Sequence, residues 1–291
     1  MDKSNYHDDI LKDVTDEELE DLKNKYKHQS MIPMASNALH NAKKLREKGC
    51  CGMTVLSPGK GDGTVFISLE YCQTYQLAVF TLDETGDTVY ESLTKTKRIK
   101  FERTWSFYAI HSSIYPVIER VLESKNMKVK CAFSAYTYSI PKEEAILFNI
   151  ECPEDMKLGD VEPRHSKKIH SGWSFKKYPQ SYEFVCSLIE NNGGVGLFLK
   201  STDELVAWVL KSGLGELGLL HTSEKYRSSG FASIVMKQLS KQIAQEGQDP
   251  ETNVILTNGA SNKLMKKLGF KNHSVSYYFL NPLFQIQGRN A

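Results

Sequence analysis

The chain has 291 residues, enough for two domains of ordinary size, and its 40% hydrophobic and 25% charged residues are typical of a soluble globular protein. A formal net charge of +2 predicts no general affinity for nucleic acid or for an anionic membrane, and no apolar run approaches the roughly 20 residues of a membrane-spanning helix. Residues 1–22 are acidic and lack an apolar core, which argues against a secretory signal or a mitochondrial presequence and predicts a cytoplasmic protein. The six cysteines show no CxxC pair and no metal-ligand spacing with histidine, so no metal is implied.

The first half is predicted to begin with two helices. Residues 15–27 start with the capping box Thr15-Asp16-Glu17-Glu18, and residues 36–48 end at Gly49. Short runs rich in Val, Ile, Tyr and Phe then predict antiparallel hairpin strands, and a helix and a further strand follow. The strands are at 53–56, 64–69, 75–81, 88–93 and 128–139, and the helix is at 111–125.

A glycine-rich stretch at residues 59–63 has two interpretations. It could be a phosphate-binding loop, but it lacks the Gly-Lys-Ser/Thr ending and a strand follows it. A hairpin turn is therefore favoured.

The second half has a partly similar order, β-α-α-β-β-β-α-β-α-β. Its strands are predicted at 157–162, 194–200, 205–210, 215–222, 253–257 and 275–280, and its helices at 163–173, 181–191, 230–245 and 260–268. The similarity predicts an α/β (α+β) protein of two related domains, residues 1–152 and 153–291.

The segment Arg227-Ser228-Ser229-Gly230-Phe231-Ala232 lies between a predicted strand and the long helix at 230–245. Small residues allow close approach of the backbone, and the amides and dipole of a helix N-terminus attract anions. The segment therefore predicts a site for a phosphate or pyrophosphate. The alternative for Ser228 and Ser229 is simple helix capping.

Two further segments keep a fixed order around this turn. Glu216 lies in the apolar stretch 213–218, eleven positions before Arg227, and residues 258–270 form a capped amphipathic helix that ends in Leu-Gly-Phe. The combination resembles the GNAT acyltransferase superfamily. Residues 158–161, His165, Trp173, Ser181, Phe184 and 206–210 extend the resemblance to the glycine N-acyltransferase family within it. The resemblance implies a GNAT fold for the second half and a related domain that lacks the pyrophosphate turn for the first half.

The resemblance also implies acyl-coenzyme A (acyl-CoA) as co-substrate. Its pyrophosphate would bind the amides of Arg227, Ser228, Ser229, Gly230, Phe231, Ala232 and Ser233. Its pantetheine arm would pair with the strand edge at Leu219, Leu220, His221 and Thr222. Asn258 would hydrogen-bond the pantetheine, and its alternative role, which is compatible with the first, is a helix N-cap.

Glu216 is the predicted general base, because an amine attacks a thioester only when it is unprotonated and burial raises the pKa of a carboxylate. The alternative is a strand-edge glutamate that faces solvent. His221 is the rival base, although simple alternation places it on the opposite face unless a bulge intervenes. Many superfamily members carry a thiolate-protonating Tyr where this chain has Met265; Tyr277 and Tyr278 are possible substitutes, or core residues.

The resemblance implies transfer of an acyl group from acyl-CoA to the amine of glycine or a similar small amine. Its small-molecule substrates would be its partners, without nucleic acid or membrane insertion. Two other functions stay open. One is N-acetyl transfer to another amine or a protein N-terminus, and the other is CoA binding without catalysis. Relatives of the family can be mitochondrial, which the acidic N-terminus does not favour.

Overall fold

The structure is a computed structural model that describes residues 6, 8–27, 29, 32, 34–50, 52–71, 74–102, 104–129, 131–178 and 180–280. These residues form two compact units. Unit 1 comprises the chain up to Ala135 together with the segment that begins at Ser274, and unit 2 comprises Tyr136–His273. Each unit therefore includes a strand, or part of one, from the other half of the sequence. The division into domains at 152/153 stays a prediction.

In unit 1, one sheet packs against helices. In spatial order its strands are β1 (Lys12–Asp13), β2 (Met53–Ser57), β3 (Val65–Tyr71), β4 (Thr74–Phe80), β5 (Thr104–His111) and β12 (Lys271–Leu280). Its helices are α1 (Asp16–Tyr26), α2 (Met34–Glu47), α3 (Asp87–Lys95) and α4 (Tyr115–Ser124). Neighbouring strands from β1 to β4 are antiparallel, and β4 and β5 are parallel. A parallel pair needs a crossover connection, which α3 supplies.

The structure confirms several predictions for unit 1 and corrects two. The capping box at Thr15 is present, and the antiparallel pair β2–β3 confirms the hairpin reading of residues 59–63. The prediction of a strand at 88–93 is wrong, because α3 occupies these residues. The helix predicted at 111–125 is shorter, and the strand β5 before it was not predicted.

Unit 2 repeats this plan. In spatial order its strands are β7 (Met156–Asp160), β8 (Gly194–Leu199), β9 (Leu205–Lys211), β10 (Leu217–Thr222), β11 (Glu251–Ile255) and β6 (Cys131–Ser139). Its helices are α5 (Lys142–Ala145), α6 (Ser166–Gly172), α7 (Ser181–Asn191), α8 (Phe231–Gln245) and α9 (Gly259–Lys267). The strands from β7 to β10 are antiparallel, β10 and β11 are parallel, and α8 is the crossover. The elements predicted for this half are confirmed to within a few residues.

Each unit has its own apolar core. In unit 1 the core includes Trp105 and Phe107, and in unit 2 it includes Val235 and Leu239 of α8. The equal strand order and the equivalent crossover helices support the predicted relation between the two halves. No helix among the described residues is long and apolar enough to cross a membrane.

Candidate functional site

A bulge interrupts β10. Gly218 pairs with Leu210 and His221 pairs with Trp208, so three steps along β10 match two along β9. Leu219, inside the bulge, has a positive φ of 51°. Because paired residues point to one face and Leu210 and Trp208 share a face, Gly218 and His221 also share a face.

The bulge coincides with a separation of β10 from β11. Within the described part of the sheet, the two parallel strands have one registered pair, Leu217 with Thr252, where Thr252 Oγ1 also donates to the Leu217 carbonyl oxygen at 2.8 Å. Beyond this pair, residues 218–222 have no registered partner on the β11 side among the described residues, and they are half-buried. An open strand edge can pair with an extended ligand as if the ligand were an added strand.

The open edge leads directly into the turn before α8. Ser228 and Gly230 have positive φ values of 67° and 80°. Gly230 occupies the N-cap position and no side chain caps the helix there, so neither Ser228 nor Ser229 serves as the cap. A methyl group built at Gly230 would meet nothing within 4 Å, so its conformation rather than space favours glycine.

Four amides of this turn lack an internal acceptor. Among the described residues, none accepts a hydrogen bond from the backbone N–H groups of Ser229, Gly230, Phe231 and Ala232, whereas Ser233 N–H bonds the Gly230 carbonyl oxygen at 2.9 Å. Four orphan amides at a helix N-terminus make a site for an anion. Phe231 contributes only its amide, because its side chain is buried in the core of unit 2.

The equivalent turn of unit 1 has the same backbone plan, with Gly86 as the N-cap of α3 and a φ of 69°. Its four amides all have acceptors. The Asp83 carboxylate accepts from the N–H groups of Thr85 at 3.0 Å and Thr88 at 2.9 Å, the Asp83 carbonyl accepts from Gly86, and Thr85 Oγ1 accepts from Asp87. A carboxylate of the chain itself therefore closes this turn.

Arg227 places one loosely paired positive charge at the open turn. The Arg227 side chain is 60% exposed, and its nearest acid, the 90% exposed Glu224, is 3.9 Å away. Lys225 bonds Glu204 at 3.2 Å, and Lys168 bonds the same carboxylate at 3.1 Å. An exposed ion pair as long as that of Arg227 contributes little, so its guanidinium is available to a phosphate.

His221 stacks on Trp208, with ring centroids 4.6 Å apart and an angle of 26° between the planes. Gly172, at the end of α6, packs so close that a methyl group there would lie 3.1 Å from His221 Nε2. Burial lowers the pKa of His221, and the charges of Arg227 and Lys176 lower it further. The ring is therefore neutral at neutral pH.

Glu216 comes immediately before β10 and is 2% exposed, which excludes the solvent-facing alternative. Its carbonyl oxygen accepts from Ser212 N–H at 2.7 Å, which continues the β9–β10 ladder by one pair. Because Ser212 is two residues from Leu210, this pairing puts Glu216 on the face of Gly218 and His221. Simple alternation predicts opposite faces; the bulge reverses that prediction.

Asn258 caps α9: its Oδ1 accepts from Ser261 N–H at 3.1 Å. The residue is exposed, and within the described residues its Nδ2 donates to no acceptor. The helix-cap role is thus present, and a donor is left for a ligand.

Comparisons with known proteins bear on the family and the fold. Residues 194–279 match the family model described as FR47-like protein. Over 193 residues the chain is 24% identical to glycine N-acyltransferase from Bos taurus, a match that covers 66% of this chain and 59% of that relative. The chain thus spans less than two thirds of the curated relative's length.

The solved structures share the fold. A Drosophila protein has a TM-score of 0.82 and 18% identity, with 94% of this chain and 99% of that chain covered. A GCN5-related N-acetyltransferase from Kribbella flavida has a TM-score of 0.51 and 12% identity, covering 75% and 86%. A putative acetyltransferase from Pyrococcus horikoshii has a TM-score of 0.52 and 11% identity, with 92% of this chain and 87% of that chain covered.

The chain has the GNAT fold. Its FR47-like region begins at β8 and includes β10, the open turn, α8 and α9. The resemblance seen in the sequence is therefore supported at the level of the superfamily.

Met265, which stands where many superfamily members carry a thiolate-protonating tyrosine, is a core residue. Met265 is 1% exposed and packs in the core of unit 2, so it supplies no proton. Tyr277 and Tyr278 pack with unit 1: Tyr277 lies 4.3 Å from the Tyr115 ring, and Tyr278 is stacked 4.5 Å from the Phe133 ring. These contacts favour the core role for both tyrosines.

The sequence did not indicate two contacts near the candidate site. Gly172 contacts His221 from a separate helix, and Tyr138 bonds Asn262 of α9 from a strand 124 residues earlier. Neither pair has a local pattern, because both depend on contacts between distant segments.

Proposed function

We propose that unit 2 binds acyl-CoA and transfers its acyl group to an amine. The observation that carries the proposal is the continuity of two unsatisfied backbone surfaces. The open edge of β10, which begins at the bulge, leads into the open amides at residues 229–232. One surface fits an extended arm with amide groups, and the other fits the pyrophosphate joined to it.

The cofactor-binding residues follow from this placement. The amides from Arg227 to Ser233 would hold the pyrophosphate, with the Arg227 guanidinium beside it. Leu220, His221 and Thr222 would pair with the pantetheine through their backbone, and Asn258 Nδ2 would donate to a pantetheine carbonyl. All of these groups are half-buried or exposed, except the buried side chain of Phe231.

The reaction is direct attack of the amine on the thioester. The acceptor nitrogen loses a proton to Glu216, a C–N bond forms and the C–S bond breaks. The departing thiolate takes up a proton from solvent, and Glu216 later returns its proton to solvent. No covalent intermediate with the protein is needed, since positioning and proton removal supply the catalysis. Glu216 is proposed as the base because it is buried on the face of the bulge; neutral His221 on the same face is the rival. Glycine or a similar small amine is the proposed acceptor, supported by the similarity to the bovine enzyme.

Isothermal titration with CoA, followed by free-thiol release from acetyl-, benzoyl- and longer acyl-CoA with a panel of amines, tests the proposal. We expect micromolar CoA binding and thiol release that depends on the amine. No binding of CoA would refute the proposed cofactor.

Acetyl transfer to a larger amine or a protein N-terminus is the second candidate. Thiol release with arylalkylamines or peptides but not with glycine would establish it. Binding of CoA without release for any amine would favour the third candidate, a CoA-binding protein, which Met265 in place of a proton donor favours. We also propose a cytoplasmic location, which imaging of the tagged chain in cells would test.

A further inference from the structure

We propose that Tyr138 and Asn262 are positioning residues for CoA binding, because together they hold the turn between β11 and α9 that carries Asn258. The inference rests on the proposed function. Tyr138 lies on β6, is 1% exposed, and its Oη is 3.1 Å from Asn262 Oδ1.

The side-chain amide of Asn262 holds the turn by hydrogen bonds to the backbone carbonyl groups of the turn. Its Nδ2 lies 3.2 Å from the Ile255 oxygen, 3.3 Å from the Leu256 oxygen and 2.9 Å from the Asn258 oxygen. These residues run from the last residue of β11 to the N-cap of α9. One side chain thus fixes the direction in which the chain leaves the sheet and enters the helix.

Tyr138 holds that amide in the orientation that the three carbonyl oxygens require. A side-chain amide has an acceptor at one end and two donors at the other. The NH₂ group faces the three carbonyl oxygens, because the flipped amide would set oxygen against oxygen. The phenol of Tyr138 donates to Oδ1 at the other end and so anchors the amide to β6. Burial raises the pKa of Tyr138, which keeps the phenol protonated as a donor.

The consequence reaches the proposed pantetheine partner. Asn258 is exposed, and its own contact is the cap of α9 through Ser261. A turn free to move would let Asn258 Nδ2 shift from its position at the N-terminus of α9, where we propose that it meets the pantetheine. The loss would appear in cofactor affinity, since Tyr138 and Asn262 themselves touch the turn rather than the reacting atoms.

A tyrosine two residues away provides the matched control. Tyr136 is half-buried and its ring meets that of Tyr138 edge-on at 6.1 Å, but its hydroxyl has no hydrogen-bond partner among the described residues. A separate bond, from Thr137 Oγ1 to Asn253 Oδ1 at 2.9 Å, joins β6 to β11. Tyr138→Phe should therefore leave the strands in place.

The test compares Tyr138→Phe, Asn262→Leu, their double variant and Tyr136→Phe. Titration with CoA should show a three- to tenfold higher Kd for Tyr138→Phe, corresponding to about one hydrogen bond, and less than twofold for Tyr136→Phe. The double variant should bind like Asn262→Leu alone, because both changes release the same turn. With a working amine pair, KM for acyl-CoA should rise while kcat changes less than twofold.

Amide hydrogen exchange adds a readout without ligand: Ser261 should exchange faster in Tyr138→Phe than in the unmodified chain or in Tyr136→Phe. Equal CoA affinity and equal Ser261 exchange in a folded Tyr138→Phe variant would overturn the inference. So would a fall in kcat with unchanged Kd, which would make Tyr138 a proton donor. Failure of the unmodified chain to bind CoA would instead refute the proposed function, while the Ser261 exchange would still report on the pair.

Discussion

The two turns that precede α3 and α8 have equivalent backbones but differ in whether their amides have hydrogen-bond acceptors. In unit 1, the Asp83 side chain and its neighbours accept from all four amides of the turn, from Thr85 to Thr88. In unit 2, Arg227 stands at the position equivalent to Asp83, three residues before the N-cap glycine, and the corresponding amides have no described acceptor. The same helix terminus thus carries an internal anion in one unit and space for an external anion in the other.

The strand before each turn differs in the same sense. In unit 1, β4 and β5 pair at four successive positions, from Thr74–Thr104 to Leu77–Phe107. In unit 2, the parallel ladder has one registered pair and a bulge follows. The longer parallel ladder and the internally satisfied turn of unit 1 favour the proposed site in unit 2.

The largest expected effect separates chemistry from binding on the open strand of unit 2. Glu216→Gln should lower kcat by about a hundredfold, because the neutral amide cannot accept the proton of the attacking amine. CoA affinity should stay within twofold. Free-thiol release and calorimetry measure the two quantities. Glu204→Gln, a change of a carboxylate that pairs with two lysines at the surface, is the control.

Unchanged turnover in Glu216→Gln would remove Glu216 from the mechanism. Under that outcome His221→Gln should show the loss instead, which would make the rival base the better assignment.

An aspartate at position 227, as at Asp83 of the closed turn, should strongly weaken anion binding at the open turn. Arg227→Asp should raise the Kd for CoA about thirtyfold, because it removes an attraction and introduces a carboxylate next to the pyrophosphate. Arg227→Gln, which removes the charge only, should cost about threefold. Equal effects of the two variants would show that the carboxylate of unit 1 does not explain its closed turn.

Removing the carboxylate from the closed turn should destabilise unit 1 without affecting catalysis. Hydrogen bonds from Thr85 and Thr88 lower the pKa of Asp83 to about 2, so its stabilisation is present above the ordinary carboxyl pKa and is lost as the pH falls towards 2. Asp83→Asn should lower the free energy of unfolding at pH 7 by about 1–2 kcal/mol, measured in urea. Glu84→Gln, an exposed neighbour, should change it little, and CoA affinity should be the same in both variants.

The smallest effect concerns His221. Its folded pKa is lowered, so the unfolded chain binds the proton more readily; the stability that the neutral ring contributes is complete above a pH of about 6.5 and is lost as the pH falls through the folded pKa. His221→Gln should reduce the fall in Tm between pH 7 and pH 5. A fall as steep as in the unmodified chain would assign the pH dependence to other groups.

The sequence predicted unit 2 better than unit 1, for reasons that lie in particular residues. The motifs at Arg227 and Asn258 belong to helix termini, where local sequence determines structure. The error at residues 88–93 arose because Thr88 and Val89 favour strands, although the buried positions 88, 89, 92 and 93 have helical spacing. The bulge at Leu219 and the contact between Tyr138 and Asn262 depend on tertiary structure, so no local pattern reveals them.

The place of β12 in unit 1 bears on how the protein is made. β12 pairs with β5, yet it follows β5 in the chain by 160 residues, from His111 to Lys271. While the chain emerges from the ribosome, β5 therefore presents an unpaired edge until nearly the whole of unit 2 has been synthesised. Unit 1 begins first but cannot complete its sheet until β12 is synthesised. This predicts slower folding, and a greater need for chaperones, than for a single GNAT domain.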